Sequence, residues 1–266
     1  MQHLTVRTIQ TEITWQDPKA NQLHFEALIR DSSDADLIVL PEMFLTGFTM
    51  EPEAVAESQD GAQVKWLLSL AQEIGAAICG SLVIRAGDEY FNRLLFVTPE
   101  GRLCRYDKRH LFRMGSEHEH YKAGEERTVI HYRGWRILPT ICYDLRFPVW
   151  CRNRNDYDLM LCVANWPAPR RLNWRVLLQA RAVENQAYVV GVNRVGQDGK
   201  GLEYAGDSMI LSFRGEPLVD SEVGQAYSGK ATLDLEALDD FKQKFPAWAD
   251  ADSFDLAYVR RRVIEL

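Results

Sequence analysis

The 266-residue chain has no long basic run, no apolar stretch of bilayer-spanning length and no CxxC pair. Each absence removes a class of function. With a formal net charge of −7 and no long basic run, nucleic acid is not the expected partner. No segment is long and apolar enough to predict a membrane span. The opening Met1-Gln2-His3-Leu4-Thr5-Val6-Arg7 lacks the basic start and apolar block of a signal peptide, so a cytoplasmic, reduced protein is expected. The five cysteines are odd in number and scattered, which argues against a disulfide framework and against a zinc ribbon. Cys79 and Cys162 lie inside apolar runs and read as small core residues. The glycines at 196, 199, 201 and 206 have neither P-loop nor Rossmann spacing, and there is no GxSxG elbow. His118-Glu119-His120 offers too few ligands for a closed zinc site, so no metal is expected.

What is present is an ordinary globular balance, 46% hydrophobic and 26% charged, in a chain long enough to bury a large core. Strands and helices alternate in the first half, and hairpins become common in the second. With no repeat and no linker, this pattern predicts an α/β fold over residues 1–266 as a single domain, a mixed sheet or a pair of sheets flanked by helices. Asp17-Pro18 reads as a cap and first turn of a helix, with Leu23, Ala27 and Leu28 on its apolar face. A second helix is predicted between Gly61 and Gly75, and a third over 172–186. Thr98-Pro99-Glu100-Gly101 reads as a hairpin turn. The tail, about 246–266, carries Trp248, Phe254 and Tyr258 and is expected to pack at a subunit interface.

Three polar residues follow apolar, β-branched runs. Glu42 follows 37–41, Lys108 follows the hairpin, and Cys142 follows Ile137-Leu138-Pro139-Thr140-Ile141. Strand exits are where α/β enzymes hold their chemistry. A thiol becomes a nucleophile on losing its proton. Glu42 can take that proton, Lys108 can steady the resulting negative charge, and the Tyr143 N–H can serve as a second oxyanion donor. A Cys142–His110 pair is the competing arrangement, but it leaves Glu42 and Lys108 without a role.

Pro41-Glu42-Met43-Phe44, Tyr106-Asp107-Lys108-Arg109-His110-Leu111-Phe112 and Ile141-Cys142-Tyr143-Asp144-Leu145-Arg146-Phe147-Pro148 resemble, in order, the three signature blocks of the nitrilase superfamily of carbon–nitrogen hydrolases. The resemblance runs from the first strand to about Phe245. It implies a four-layer α-β-β-α sandwich, usually dimerised, working without a cofactor. It also implies that Glu42, Lys108 and Cys142 are catalytic, acting through a cysteine thioester. Many members carry a further Glu seven residues before a glycine. Glu117 stands so to Gly124, with Glu119 as the alternative.

The Cys142–Pro148 run, together with Ala164-Asn165-Trp166-Pro167, is similar to the omega-amidase branch, which hydrolyses the terminal amide of compounds such as 2-oxoglutaramate. The resemblance thus implies a small anionic amide substrate. Arg146, or else Arg170, Arg171 or Arg113, is the expected carboxylate partner. Tyr143, Phe44 and Trp166 are the expected pocket walls. The alternatives are another amidase of the superfamily, acting on deaminated glutathione or on carbamoyl or aliphatic amides, and a non-catalytic binding protein on the same fold.

Overall fold

Along the central strands both faces are buried, and this alternation defines the layers. Leu37, Val39, Ala77, Cys79, Leu94 and Phe96 face one core, while Ile38, Leu40, Ile78, Leu95 and Val97 face another. The computed structural model describes residues 2–257 and 259–266, so Tyr258 lies outside the described residues.

In chain order the strands begin with β1 (His3–Gln10), β2 (Leu37–Val39), β3 (Glu57–Ser58), β4 (Ala77–Ala86), β5 (Glu89–Val97) and β6 (Leu103–Asp107). They continue with β7 (Glu126–Tyr132), β8 (Trp135–Ile141), β9 (Leu159–Val163), β10 (Tyr188–Val192), β11 (Val195–Gln197) and β12 (Glu203–Ala205). The last are β13 (Met209–Leu211), β14 (Pro217–Asp220), β15 (Tyr227–Asp234) and β16 (Arg260–Glu265).

One sheet has the order β15-β1-β2-β4-β5-β6, with β3 beside β4, and the other has the order β14-β13-β10-β9-β8-β7-β16. The strands at the heart of each sheet, β1-β2-β4 and β8-β9-β10, run parallel. β15 closes the first sheet antiparallel to β1, from His3 opposite Asp234 to Gln10 opposite Tyr227. The two sheets pack face to face over the first core.

The helices Pro18–Arg30 and Ala62–Ile74 cover the outer face of the first sheet through Phe25, Ile29, Val64, Leu67 and Ala71. The helix Arg171–Asn185 covers the second through Trp174, Leu178 and Ala182. Gly191 on β10 permits this approach, because a Cβ there would lie 2.4 Å from Leu178 Cδ1. The result is the expected α-β-β-α sandwich.

One local expectation needs correction. The helix beginning at Pro18 is capped by Asp17, which accepts from the Ala20 N–H, but its buried face is Asn21, Phe25 and Ile29, and Leu23 is 65% exposed. The polar Asn21 hides that face from a hydrophobicity pattern. It is buried because its side chain bonds Thr14 N, Thr14 O and Leu45 O. The end of the tail forms β16, a parallel edge strand on β7.

Candidate active site

Four chain segments leave strands at one end of the sandwich and converge. Glu42 follows β2, Lys108 follows β6, Cys142 follows β8 and Asn165 follows β9. Cys142 opens the short 3-10 turn Cys142–Arg146 with φ of +45°. That left-handed backbone costs a β-carbon residue roughly 1–3 kcal/mol, a strain that holds the side chain up from the sheet edge. The turn is braced by the buried Asp144, whose carboxylate accepts from the Ile141 N–H at 3.0 Å, the Tyr106 hydroxyl at 2.7 Å and the His110 N–H at 2.9 Å. The His110 ring also meets Asp144, at 2.8 Å, and stacks on Phe147. His110 therefore braces the turn beside Cys142. Tyr143, at the start of the same turn, has a backbone N–H with no acceptor within it.

Lys108 is the centre of charge. Its ammonium donates to Glu42 at 2.8 Å and to Glu117 at 2.9 Å, and all three side chains are buried. The Glu42 carboxylate accepts from three groups: Lys108 Nζ, Asn92 Nδ2 at 2.7 Å and the Asn165 N–H at 2.7 Å. Asn165 Nδ2 also donates to the Glu42 carbonyl. Glu117 accepts from the Phe112 N–H at 2.6 Å.

Glu117 is held there by Gly124. The Gly124 N–H donates to the Lys108 carbonyl at 2.9 Å, and a Cβ on Gly124 would lie 2.1 Å from the Asp107 carbonyl oxygen. Only glycine lets the 117–124 loop lie on the end of β6, which gives the seven-residue spacing a physical cause. Glu119 is 62% exposed beside His118 and takes no part.

The electrostatics follow from burial and proximity. Burial alone opposes the Lys108 ammonium, but the Glu117 and Glu42 carboxylates outweigh it, and the amine is held above its ordinary pKa. Burial pushes Glu117 up, with Lys108 pulling the other way and the Glu42 charge adding to the rise. Burial also pushes the Cys142 thiol well up, and Glu42 adds to this while Lys108 partly offsets it. The resting site thus holds an ammonium and a protonated thiol. Moving the thiol proton onto a carboxylate leaves the net charge of the set unchanged.

Above this floor lies a cavity of about 290 Å³. Lys108, Cys142 and Asn165 reach it from below. Tyr143 and Trp166 line it as expected, as do Arg146 and Arg170. The Arg146 guanidinium lies 4.8 Å from the Trp166 ring, and that of Arg170 lies 5.4 Å from the Phe112 ring. Among the described residues neither forms a salt bridge. Arg113 is outside the lining, and Arg171 is committed to Asp207 by two bonds.

Phe44 is not a pocket wall. Met43 takes φ of +43°, which turns the chain away from the cavity, and Phe44 packs in the helix–sheet core, its ring 5.1 Å from Phe25. Sequence reading missed Asn92, which bridges the two carboxylates from mid-strand, and Phe48 on the cavity wall. It also missed the hairpin β11–β12, whose tip and flank bring Asp198, Lys200, Leu202 and Tyr204 to the rim. The alternation of those four positions was the available signal, masked by the glycines between them.

Among the described residues no three His, Cys, Asp or Glu side chains come together as a metal cage, and no helix is long and apolar enough to cross a membrane.

The carbon-nitrogen hydrolase family profile matches residues 5–243. The chain belongs to the carbon-nitrogen hydrolase family. It is 51% identical over 256 residues to Omega-amidase YafV of Escherichia coli strain K12, covering 96% of this chain and 100% of that protein. It is 31% identical over 252 residues to 2-oxoglutaramate amidase of Bacillus subtilis strain 168, covering 92% and 96%. Among solved structures, the CN-hydrolase superfamily protein XC1258 of Xanthomonas campestris superposes with a TM-score of 0.94 at 46% identity, covering 97% of this chain and 100% of that one.

Proposed function

We propose that this carbon-nitrogen hydrolase is an omega-amidase that removes the terminal amide of a small 2-oxo dicarboxylic acid monoamide through a Cys142 thioester. The observation that carries the reading is the buried Lys108 ammonium held between Glu42 and Glu117 at the floor of a cavity that Cys142 enters. The identity to Omega-amidase YafV supports the substrate class. XC1258 carries an arsenic adduct in its active site, which is compatible with a thiol there, a soft ligand.

In this mechanism Glu42 accepts the proton of Cys142 as the sulfur attacks the amide carbon. A thiol held above its ordinary pKa requires such a base, because little thiolate exists at rest. Lys108 and the Tyr143 N–H hold the oxyanion. Glu42 returns the proton to the departing ammonia, leaving the acyl group on sulfur. Glu42 then takes a proton from water, which attacks the thioester, and returns that proton to the departing sulfur, releasing the acid and the thiol. Glu117 keeps Lys108 in place. Arg146, with Arg170 beside it, receives the substrate's distal carboxylate, and Tyr143 and Trp166 enclose its short chain.

The helix Arg171–Asn185 presents Leu172, Val176 and Val183 to solvent along one face, which supports a homodimer packed there. The free Cys142 suits a reducing cytoplasm.

Ammonia release from 2-oxoglutaramate tests the reading. Wild-type protein turns over, and Cys142→Ala loses about 10³-fold or more in kcat. No ammonia from the wild type with any omega-amide, or undiminished turnover by Cys142→Ala, overturns it.

A further inference from the structure

Asn92 and Ser81 lie in the middle of β4 and β5, away from the loops that carry the reacting groups, and both are fully buried. The Ser81 hydroxyl accepts from the Met43 N–H at 2.8 Å. It donates its own hydrogen to Asn92 Oδ1, at 2.9 Å. With that oxygen engaged by a donor, the Asn92 amide presents its NH2 to the other side. There the nitrogen lies 2.7 Å from Glu42 Oε1 and 3.2 Å from Glu117 Oε1. The Asn92 main chain is tied to the same set, since its carbonyl accepts from the Lys108 N–H at 3.0 Å.

We infer that Ser81 and Asn92 form a positioning relay that locks the Glu42 carboxylate so that its one remaining free lone pair is the one that exchanges the proton of the nucleophile. The inference rests on the proton-shuttle role proposed for Glu42. A carboxylate offers about four lone-pair positions. Three of those on Glu42 are taken by Lys108, Asn92 and the Asn165 N–H, all of them donors. None can accept a hydrogen from a protonated Glu42 in that arrangement. A proton on Glu42 therefore has only the fourth position, and the shuttle has a single address. The Ser81 hydroxyl sets the sense of the amide. Without it Asn92 is free to rotate and turn its carbonyl oxygen toward two carboxylates.

The other titratable groups that feel these carboxylates are Lys108, Cys142, Cys162, Tyr121 and Tyr204. Removing Asn92 removes a donor that favours ionised carboxylates, so the acidic limb of kcat moves to higher pH.

The experiment compares kcat, KM and the pH profile of 2-oxoglutaramate hydrolysis for wild type, Asn92→Ala and Ser81→Ala, with Cys142→Ala and Glu42→Gln as controls. Expected is a kcat lowered about 10- to 100-fold in Asn92→Ala and less in Ser81→Ala, with KM within about threefold and the acidic limb displaced upward in pH. Normal kcat in both variants, or a loss confined to KM, or a reduced kcat with an unmoved pH profile, overturns the relay. If Asn92→Ala does not fold, Ser81→Ala, which deletes one oxygen, decides alone. If the two controls keep normal turnover, the proton-shuttle reading itself has failed. If they lose turnover while the relay variants keep it, only the relay has failed.

Discussion

The floor and the rim of the cavity are built on opposite principles. On the floor, Glu42, Lys108, Glu117 and Asn92 are at most 1% exposed, and every charge has a partner of opposite sign or a hydrogen-bond donor. At the rim, Arg146 and Arg170 lie over aromatic rings, Lys200 and Asp198 come from a hairpin tip, and the two arginines form no salt bridge among the described residues. A network without spare valences holds one geometry and suits a fixed chemical step. Uncommitted cations over apolar walls suit recognition of an anion that arrives and leaves. On the proposed mechanism the floor carries the reaction and the rim the choice of substrate.

The strongest way to break that division is Lys108→Ala. It leaves Glu42 and Glu117 facing each other without their shared ammonium and removes an oxyanion donor. It should lower kcat by about 10³-fold or more, and a kcat within tenfold of wild type would show that the floor does not carry the reaction.

Next comes Glu42→Gln, which separates base from field. Amide turnover should fall about 10²-fold. The Cys142 thiol, now without a negative neighbour that raises its pKa, should ionise at lower pH than in wild type. The pH dependence of iodoacetamide alkylation reads this directly, and an alkylation curve displaced to higher pH contradicts the assignment.

Arg146→Ala sharpens the contrast from the other side. KM for 2-oxoglutaramate should rise about tenfold or more while kcat stays within a few fold. An amide lacking the distal carboxylate should not distinguish the variant from wild type.

The smallest effect is expected for Glu119→Ala. Its side chain is mostly exposed, and activity should remain within twofold of wild type, measured beside Glu117→Ala.

Much of the floor was legible in the sequence because it obeys chain-local rules. Glu42, Lys108 and Cys142 each stand just past an apolar strand, whereas Glu117 came from the family resemblance, its spacing to Gly124 being explained only by the fit of the loop against β6. The layers were legible too, because strand alternation and helix spacing are local signals. What escaped depends on three dimensions. Asn92 sits mid-strand in Phe91-Asn92-Arg93-Leu94, where nothing in its neighbours marks it, and its partners are 25 and 50 positions away. Phe44 was misplaced because adjacency to Glu42 suggested the cavity, while the left-handed backbone of Met43 redirects it to the core. Leu23 was misassigned because a buried asparagine broke the apolar pattern of its helix.

The pairing of β1 with β15 has a consequence for biosynthesis. β1 meets its antiparallel neighbour only when Tyr227–Asp234 has been made. Until then β1 has an open edge, able to pair with another nascent chain. A chain halted before Tyr227 keeps all four floor residues yet lacks the strand that closes their scaffold.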